Sequence, residues 1–203
     1  MLRTLVFAIA LALCATGAWA DVYSDCQAKD PDRSIRGCTQ IIERGNRESK
    51  SYRAISYLNR GNAYVKKGKI DHAIADYNKA IKLNPKDAVA YNSRGVAYQK
   101  KGALDYAIAD IDKAIAIDPN EARYYSNRGA AYAKKGKIDR AIADYNKSIT
   151  LNRNDAAAYY NRGLAYNKKG DKDQAIADFR RALEINPSDQ STRDILKGLD
   201  VTP

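Results

Sequence analysis

A pattern of small and apolar residues recurs four times along the middle of this chain, with a step of 34 positions. The pattern includes the glycines Gly61, Gly95, Gly129 and Gly163 and the alanines Ala73, Ala107, Ala141 and Ala175. A fixed period of this length indicates a repeat protein, in which each unit packs against its neighbours. The repeats follow one another without linkers, so they are expected to form one continuous array.

Within the unit of residues 88–121, the apolar residues follow the spacing of two helices. Tyr91, Gly95 and Tyr98 lie at i, i+4 and i+7, which is one face of a first helix. Gly102 interrupts the pattern, and Pro119 closes a second helix. Each unit is therefore predicted to be a helical hairpin. The apolar face of the second helix consists of Leu104, Ala107, Ile108, Ile111, Ala114 and Ile115.

These positions resemble the tetratricopeptide repeat (TPR), whose pattern W-x-x-L-G-x-x-Y is followed by A-x-x-x-F and then P. The resemblance implies an all-α fold, a right-handed α-solenoid of helix-turn-helix repeats. It covers four tandem units, at 54–87, 88–121, 122–155 and 156–189. In the second unit the residues at the pattern's positions are Tyr91, Arg94, Gly95, Tyr98, Ala107, Ile111 and Pro119.

Arginine stands where the TPR pattern usually has leucine, and each of these arginines is followed sixteen residues later by an aspartate. A buried charge without a partner costs several kcal/mol. The spacing therefore predicts at least three partly buried ion pairs, within one hairpin or between neighbours, that fix the helix register. The candidate pairs are Arg60 with Asp76, Arg94 with Asp110, Arg128 with Asp144, and Arg162 with Asp178. Arg153 also departs from the pattern, because it replaces the closing proline of the third unit.

Residues 1–20 have the features of a secretory signal peptide. Arg3 precedes an apolar run that ends in Ala18-Trp19-Ala20, an A-x-A cleavage site, and the run is too short for a typical membrane span. Cys14 raises the alternative of a lipoprotein anchor, but the bulky Leu13 precedes it where a small residue is expected. Cleavage after Ala20 is favoured over lipidation or retention. The mature chain is then expected to be periplasmic or secreted, without a transmembrane segment, in a bacterial envelope.

Residues 21–53 precede the repeats and contain Cys26 and Cys38. An isolated cysteine pair in an exported chain indicates a disulfide. A metal site would need further ligands, and the only histidine, His72, lies in a repeat. The spacing of the apolar residues around Cys38 matches that of a second helix. The segment 23–44 is therefore predicted to be a degenerate hairpin that caps the array, joined to it by a polar connection at 45–50.

Residues 190–203 follow the last repeat. The segment 190–199 is predicted to be a short helix in which Ile195, Leu196 and Leu199 cover the last apolar face. Terminal repeats need such a cap with a polar outer side. The remaining residues are expected to be frayed.

The chain has a formal net charge of +11, and much of the basic excess lies in pairs of adjacent lysines. One interpretation is that these lysines end the first helix of each unit, where cations complement the helix dipole. The alternative is a basic ridge that binds an anionic polymer or a lipid surface. The first interpretation is favoured, and nucleic acid is not expected as a partner. The pairs are Lys66-Lys67, Lys100-Lys101, Lys134-Lys135 and Lys168-Lys169.

No catalytic constellation is recognisable in the sequence. His72 has no acidic or cysteine partner at a suitable spacing, and no glycine-rich phosphate loop is present. The aspartates of the repeats follow the period of the architecture and not that of an active site. The chain is therefore predicted to be non-enzymatic and to use no cofactor and no metal.

The resemblance implies that the first helices of the units line a concave groove that binds a segment of another protein. Small apolar groups and amides there suit an extended peptide. Arg123 and Tyr160 are expected to make the strongest contacts, and Tyr124 and Tyr160 are the tyrosines expected to point away from the core. The groove residues are Ile55, Leu58, Asn62, Val65, Val96, Gln99, Arg123, Asn127, Ala130, Ala133, Tyr160, Asn161, Leu164 and Asn167.

Some TPR proteins hold the free C-terminal carboxylate of a peptide in a clamp of lysine, arginine and asparagine side chains. Asn62 and Arg123 fit that pattern, but Leu58, Ser93 and Asn127 do not. The peptide is therefore expected to be anchored in another way. The leading hypothesis is a protein-binding scaffold, and the alternatives are binding of an anionic polymer or lipid and self-assembly.

Overall fold

The computed structural model describes residues 20–199, and these form α-helices and short turns without a β-strand among them. The signal peptide expected at 1–20, with Cys14, lies outside the described residues except for Ala20. The tail at 200–203 also lies outside them. Among the described residues, no helix combines the length and the apolar character that crossing a membrane requires.

The chain divides into two compact units, Met1–Ala97 and Tyr98–Pro203, and the division falls within helix α5. In the first unit, α1 (20–26) is followed by α2 (Pro31–Glu43), a short 3-10 turn (Gly45–Arg47), α3 (Lys50–Lys66) and α4 (Ile70–Leu83). Helix α5 spans Ala88–Lys101. The second unit contains α6 (Leu104–Ile117), α7 (Ala122–Lys134), α8 (Ile138–Leu151), α9 (Ala156–Lys169), α10 (Lys172–Ile185) and α11 (Gln190–Gly198).

Within each unit, consecutive helices pack against one another as a series of hairpins. The tight turn between the two helices of a hairpin needs a residue in the left-handed region. Gly170 is this residue, with a φ of 95°. Its backbone N–H donates to carbonyl oxygens in the last turn of α9. Glycine also has positive φ at the equivalent positions 68, 102 and 136. The hairpin predicted from the apolar spacing is therefore the unit of the fold.

Two helix ends differ in detail from the sequence pattern. The connection predicted at 45–50 is shorter, because Ser49 caps α3 by accepting a hydrogen bond from Tyr52 N (3.1 Å), so the helix starts at Lys50. Helix α8 ends at Leu151 although Arg153 replaces the proline. Here the Asn152 side chain turns the chain by accepting a bond from Asn154 N (3.1 Å).

Three of the repeat hairpins are closed by an aromatic ring that lies on a glycine. A Cβ atom at Gly61 would lie 2.6 Å from Cε1 of Tyr77, and one at Gly163 would lie 2.8 Å from Cε1 of Phe179. Tyr145 lies in the same way on Gly129. All three rings are buried, so the first and second helices approach more closely than any side chain at the glycine would allow.

Beside each of these glycines, an arginine forms a bidentate ion pair with the aspartate that precedes the ring. Arg128 donates from Nε and Nη2 to the two carboxylate oxygens of Asp144, at 2.8 and 2.7 Å. Arg60 with Asp76, and Arg162 with Asp178, have the same geometry at 2.6–2.8 Å. These are the pairs that the sixteen-residue spacing predicts. The fourth, Arg94 with Asp110, joins residues of different units and stays a prediction.

These ion pairs are largely shielded from water. The arginine side chains are 16–21 % exposed and the aspartates only 7–9 %. Hydrogen bonding to Asp76 raises the pKa of Arg60 above its ordinary value, and Asp178 does the same for Arg162. Both guanidinium groups therefore remain charged at any pH at which the protein is folded.

The same arginines also bond to the preceding hairpin, a contact that the spacing did not predict. The remaining terminal nitrogen, Nη1, donates to a polar side chain on the second helix of that hairpin. Arg60, Arg128 and Arg162 thus each join their own second helix to the previous one. The acceptors are Thr39 for Arg60 (2.9 Å), Asn78 for Arg94 (2.6 Å), Asp112 for Arg128 (2.6 Å) and Asn146 for Arg162 (2.6 Å).

The first hairpin is held by a disulfide in place of the ring–glycine contact. Cys26 of α1 and Cys38 of α2 are bonded, with Cα atoms 4.4 Å apart, and both are buried with Ile41. The two helices approach closely because Gly37 has no side chain; a Cβ there would lie 2.5 Å from Cys26 N. Cys38 is the eighth residue of its helix, the position that Tyr77 has in α4.

Helix α11 covers the apolar side of the last hairpin. Leu196 is fully buried against Ala175 and Phe179, and Ile195 and Leu199 pack at its edges. Asp189 caps the helix by accepting bonds from the backbone N–H groups of the next residues, and its pKa is lowered mainly by the hydrogen bond from the Thr192 hydroxyl. The segment predicted as a cap therefore packs where a further first helix would lie.

Replacing Asp144 with alanine is expected to lower the free energy of unfolding by about 3 kcal/mol, because Arg128 keeps its buried charge and loses its main partner. Asp139→Ala is the matched control, since Asp139 lies on the same helix in an ion pair with Lys169 but is 83 % exposed. Its cost should stay below about 1 kcal/mol. Urea denaturation followed by circular dichroism measures both, and equal costs would contradict a structural role for the Asp144 pair.

Replacing Gly163 with alanine is expected to destabilise the protein by about 1–3 kcal/mol, because the new methyl group overlaps the buried Phe179 ring. Gly198→Ala is the control, since a Cβ there meets no atom within 4 Å and alanine favours the helix. Thermal unfolding should therefore shift downward for Gly163→Ala only. A tolerated alanine at 163 would mean that the helices can separate at little cost.

Loss of the disulfide is expected to lower the free energy of unfolding by about 3 kcal/mol in the chain-entropy model. The Cys26→Ala, Cys38→Ala double variant and the reduced protein should lose a similar amount in chemical denaturation. Peptide mass mapping of protein from an oxidising compartment should also show a linked peptide that disappears on reduction. Two free thiols in that protein would refute the pairing.

Candidate functional site

Four of the predicted groove residues line one cleft in the second unit. The cleft has a volume of about 380 Å³ and lies along helices α7, α8 and α9. The predicted residues in it are Ala130, Ala133, Asn161 and Leu164. The other lining residues are Lys134, Ile138, Tyr145, Ala165 and Lys168.

The cleft exists because the facing positions of two first helices carry small side chains. Ala130 and Ala133 on α7 leave space beside α9, and the base lies over the buried cluster that contains Ala141, Tyr145 and Ala165. Burial, and then the negative charge of Asp144, raise the pKa of Tyr145 to about 12. The cleft therefore offers an apolar, uncharged base at neutral pH.

The polar groups of this cleft are one amide and two lysines. Asn161 lies on α9, and Lys134 and Lys168 lie in the last turns of α7 and α9. Within residues 20–199, neither lysine forms a hydrogen bond or an ion pair. No acidic side chain lines the cleft.

The structure gives the two members of a lysine pair different roles. Lys135 forms an ion pair with Asp105, and Lys169 forms one with Asp139 at 2.9 Å. Both acids lie in the first turn of the second helix of the preceding hairpin. In these two pairs the second lysine therefore links neighbouring hairpins, and the first lysine lies at the cleft. The sequence alone does not distinguish these two lysines.

A second cleft, of about 370 Å³, lies in the first unit between the α1–α2 turn and helix α3. Ile55 and Asn62 from the predicted groove line it, together with Asn59 and Lys66. Tyr77 donates a hydrogen bond to Asn62 Oδ1 (2.8 Å), which fixes the orientation of that amide. Lys67 again pairs with an acid of the preceding hairpin, Asp32, and this pair lowers the pKa of Asp32.

Arg123 and Tyr160, the residues expected to make the strongest contacts, are not among the lining residues of these two clefts. Arg123 is exposed, with a loose ion pair to Glu121 at 3.7 Å. Tyr160 is partly buried, and its ring centroid lies 5.9 Å from that of Phe179. The expectation that Tyr124 points away from the core is wrong, because Tyr124 is 2 % exposed.

The remaining predicted groove residues lie outside the lining of both clefts and differ in exposure. Asn167 is exposed, near the end of α9. The others are partly buried: Leu58, Val65, Val96, Gln99 and Asn127. For none of them does the structure alone indicate a bound partner.

Residues 20–199 contain no group of three or more histidine, cysteine, aspartate or glutamate side chains placed to hold a metal ion. The ring of His72 lies against that of Tyr64, with centroids 5.3 Å apart. Asp76, Asp144 and Asp178 accept hydrogen bonds from the arginines of their hairpins.

Models of known families match the repeats. The model described as TPR repeat matches residues 61–102 and 131–170. Two models described as Tetratricopeptide repeat match 88–121 with 156–189, and 111–143. Together the matches span residues 61–189. Among curated proteins, no sequence matches this chain significantly.

Solved structures with the same fold include proteins of different assemblies. A crystal structure of MamA is 28 % identical, with 79 % of this chain and 91 % of MamA covered and a TM-score of 0.68. A chain from the APC/C hetero-tetramer Cut9–Hcn1 is 26 % identical, with 82 % and 32 % covered and a TM-score of 0.72. PilF of Pseudomonas aeruginosa, 22 % identical with 74 % and 71 % covered and a TM-score of 0.68, shares the fold.

The period of 34 residues, the series of packed hairpins and the family matches all lead to one conclusion. The fold is all-α, with the consecutive helix pairs of a TPR solenoid. Proteins with such repeats generally act as interaction scaffolds without catalytic activity. This chain belongs to the tetratricopeptide repeat family.

Proposed function

We propose that this protein is a non-enzymatic scaffold that binds an extended segment of a partner protein against the first helices of its repeats. The observation that carries the proposal is the α7–α9 cleft. It collects Ala130, Ala133, Asn161 and Leu164, which the TPR resemblance independently assigned to the groove. A cleft with small apolar walls and an amide is complementary to a peptide in extended conformation.

The two kinds of group in the cleft have complementary tasks. The Asn161 amide can donate to and accept from the backbone of a bound peptide, which gives affinity for any extended sequence. The apolar walls at Ala133, Leu164 and Ala165 take a side chain out of water, which gives selectivity. Neither task requires a cofactor, and none is proposed.

We place this function in the bacterial envelope, with the mature protein periplasmic or secreted. The proposal rests on the signal-like residues 1–20, and the disulfide between Cys26 and Cys38 supports it, since such bonds persist in oxidising compartments. The partner is a protein or peptide segment.

Binding of an anionic polymer or lipid surface is the alternative function. The structure weakens it in one respect, because Lys67, Lys135 and Lys169 are engaged in ion pairs with Asp32, Asp105 and Asp139. Three of the eight lysines that would form a basic ridge are therefore already neutralised by acids of the fold. Self-assembly has no specific observation in its favour.

Capture from the envelope fraction, with mass spectrometry of the retained proteins, tests the proposal. The baits are the mature chain, its Leu164→Asp variant and the control Ile117→Asp. Leu164 and Ile117 are equally exposed, at 39 % and 40 %, but only Leu164 lines the cleft. A true partner should be retained by the unchanged chain and the control, and lost at least tenfold with Leu164→Asp.

The sequence-based prediction for Arg123 and Tyr160 can be tested with the same partner. If these residues make the strongest contacts, their double alanine variant should bind at least tenfold more weakly, which is about 1.4 kcal/mol. Unchanged affinity would place the anchor at the cleft. Loss of binding on substitution of the lysine pairs alone, with the cleft variants unaffected, would favour the anionic polymer or lipid.

A further inference from the structure

We propose that the α7–α9 cleft selects an acidic partner segment, in which an aliphatic side chain enters the cleft and neighbouring carboxylates bond to Lys134 and Lys168. This inference rests on the proposed scaffold function and specifies the chemistry of the partner. It requires a cationic cleft, an apolar space of suitable size and a reason to prefer a peptide over other anions.

The cleft is cationic because basic residues outnumber acidic residues in the helices that form it. Residues 122–169, which form α7, α8 and α9, contain eleven basic and three acidic residues. Four acids outside this range also pair with Arg123, Arg128, Lys135 and Arg162, which leaves an excess of four positive charges (eleven minus seven). Two of the three acids are neutralised within the fold, because Asp139 pairs with Lys169 and Asp144 pairs with Arg128. The third, Asp155, caps α9 and does not line the cleft.

Lys134 and Lys168 are the cations that remain for a ligand. Their neighbours Lys135 and Lys169 are held by acids of the preceding hairpins, which leaves these two lysines at the cleft without a partner in the described part of the chain. They lie one repeat apart, on adjacent first helices. An extended segment that follows the cleft therefore meets two separate positive charges.

The apolar part of the cleft has room for a side chain. Its volume of about 380 Å³ lies near the lower end of the range for small-molecule sites. The walls are Ala130, Ala133, Ile138 and Leu164, without an aromatic stacking surface other than Tyr145 at the base. A branched aliphatic side chain matches these walls in shape and in polarity.

A peptide fits this combination better than a polyanion or a membrane. A polymer of phosphates or carboxylates has no apolar group to fill the space beside Leu164. A lipid surface is broad and flat, whereas the apolar walls line a concave cleft. Only a chain that alternates carboxylates with an aliphatic side chain, and that offers backbone groups to Asn161, uses all the groups present.

Fluorescence anisotropy on the full mature chain tests the inference. The probe is a labelled, C-terminally amidated peptide in which one leucine is flanked by two glutamates on each side. Comparison peptides replace the glutamates with glutamine or the leucine with serine. Each change should weaken binding at least tenfold. Raising the ionic strength from about 0.05 to about 0.5 M, which shortens the Debye length from roughly 14 to 4 Å, should weaken the two peptides that keep the glutamates and leave the glutamine peptide unchanged.

Protein variants locate the binding. Lys134→Gln with Lys168→Gln should lower the affinity for the acidic peptide at least tenfold. Lys113→Gln with Lys172→Gln removes the same charge from positions that do not line the cleft, and should change the affinity less than threefold. Equal losses in the two double variants would overturn the inference, since they would indicate a diffuse effect of charge.

Other outcomes decide between the rival ligands. Equal binding of the glutamine peptide, with sensitivity to Leu164→Asp, would overturn the acidic preference while leaving the scaffold function intact. Binding of polyglutamate or of phosphatidylglycerol vesicles as tightly as the probe would assign the cleft to anions in general. Failure of every peptide to bind the folded chain would refute the inference, whereas capture of a partner dependent on Leu164 would still support the scaffold.

Discussion

The bidentate ion pair between an arginine of the first helix and an aspartate of the second is the interaction on which three of the repeat hairpins depend, those of Arg60, Arg128 and Arg162. It stands next to a glycine in one helix and an aromatic ring in the other, as in Arg128-Gly129 and Asp144-Tyr145. The glycine permits close approach, and the ion pair sets the rotation and the axial register of the helices. Directional bonds of this kind specify one arrangement where apolar contacts alone would allow several.

Different faces of the first helix have different functions in the hairpin. On α7, Arg128 and Gly129 face the second helices, whereas positions 130, 133 and 134 follow the helical period onto another side, where the cleft lies. The contacts that hold the repeats together therefore leave the cleft residues free to differ between repeats. This explains how Ala130 and Leu164, which are equivalent by period, can have such different sizes.

The sequence predicted the hairpins and the Arg–Asp pairs because both follow from spacing within one unit. It did not predict the Nη1 bonds to Asn78, Asp112 and Asn146, although these acceptors also recur every 34 residues. The period shows which positions in the units are equivalent. It does not show whether a side chain contacts its own hairpin or the preceding one. Helix α8 ends at the equivalent position without the proline, because Asn152 accepts the same turn bond that Asn84 and Asp118 accept in the repeats that keep the proline.

The candidate site was predictable only in part. The family pattern placed alanines and amides on the groove side, but the division of each lysine pair depends on acids in the preceding hairpin, such as Asp139 for Lys169. The exposure of Tyr160 likewise depends on a tertiary neighbour, because its partly buried ring lies 5.9 Å from that of Phe179. Whether a side chain is available to a partner depends on tertiary neighbours that periodicity does not identify.

The arginine that bonds both to its own hairpin and to the previous one makes the repeats interchangeable in evolution. Excision of residues 122–155 would bring Arg162 next to Asp112, which already serves as the acceptor for Arg128. Duplication of the same segment would likewise supply every bond at the new junction. Copy number can therefore change by recombination without compensating substitutions, so that lineages can lengthen or shorten the array before its binding residues diverge.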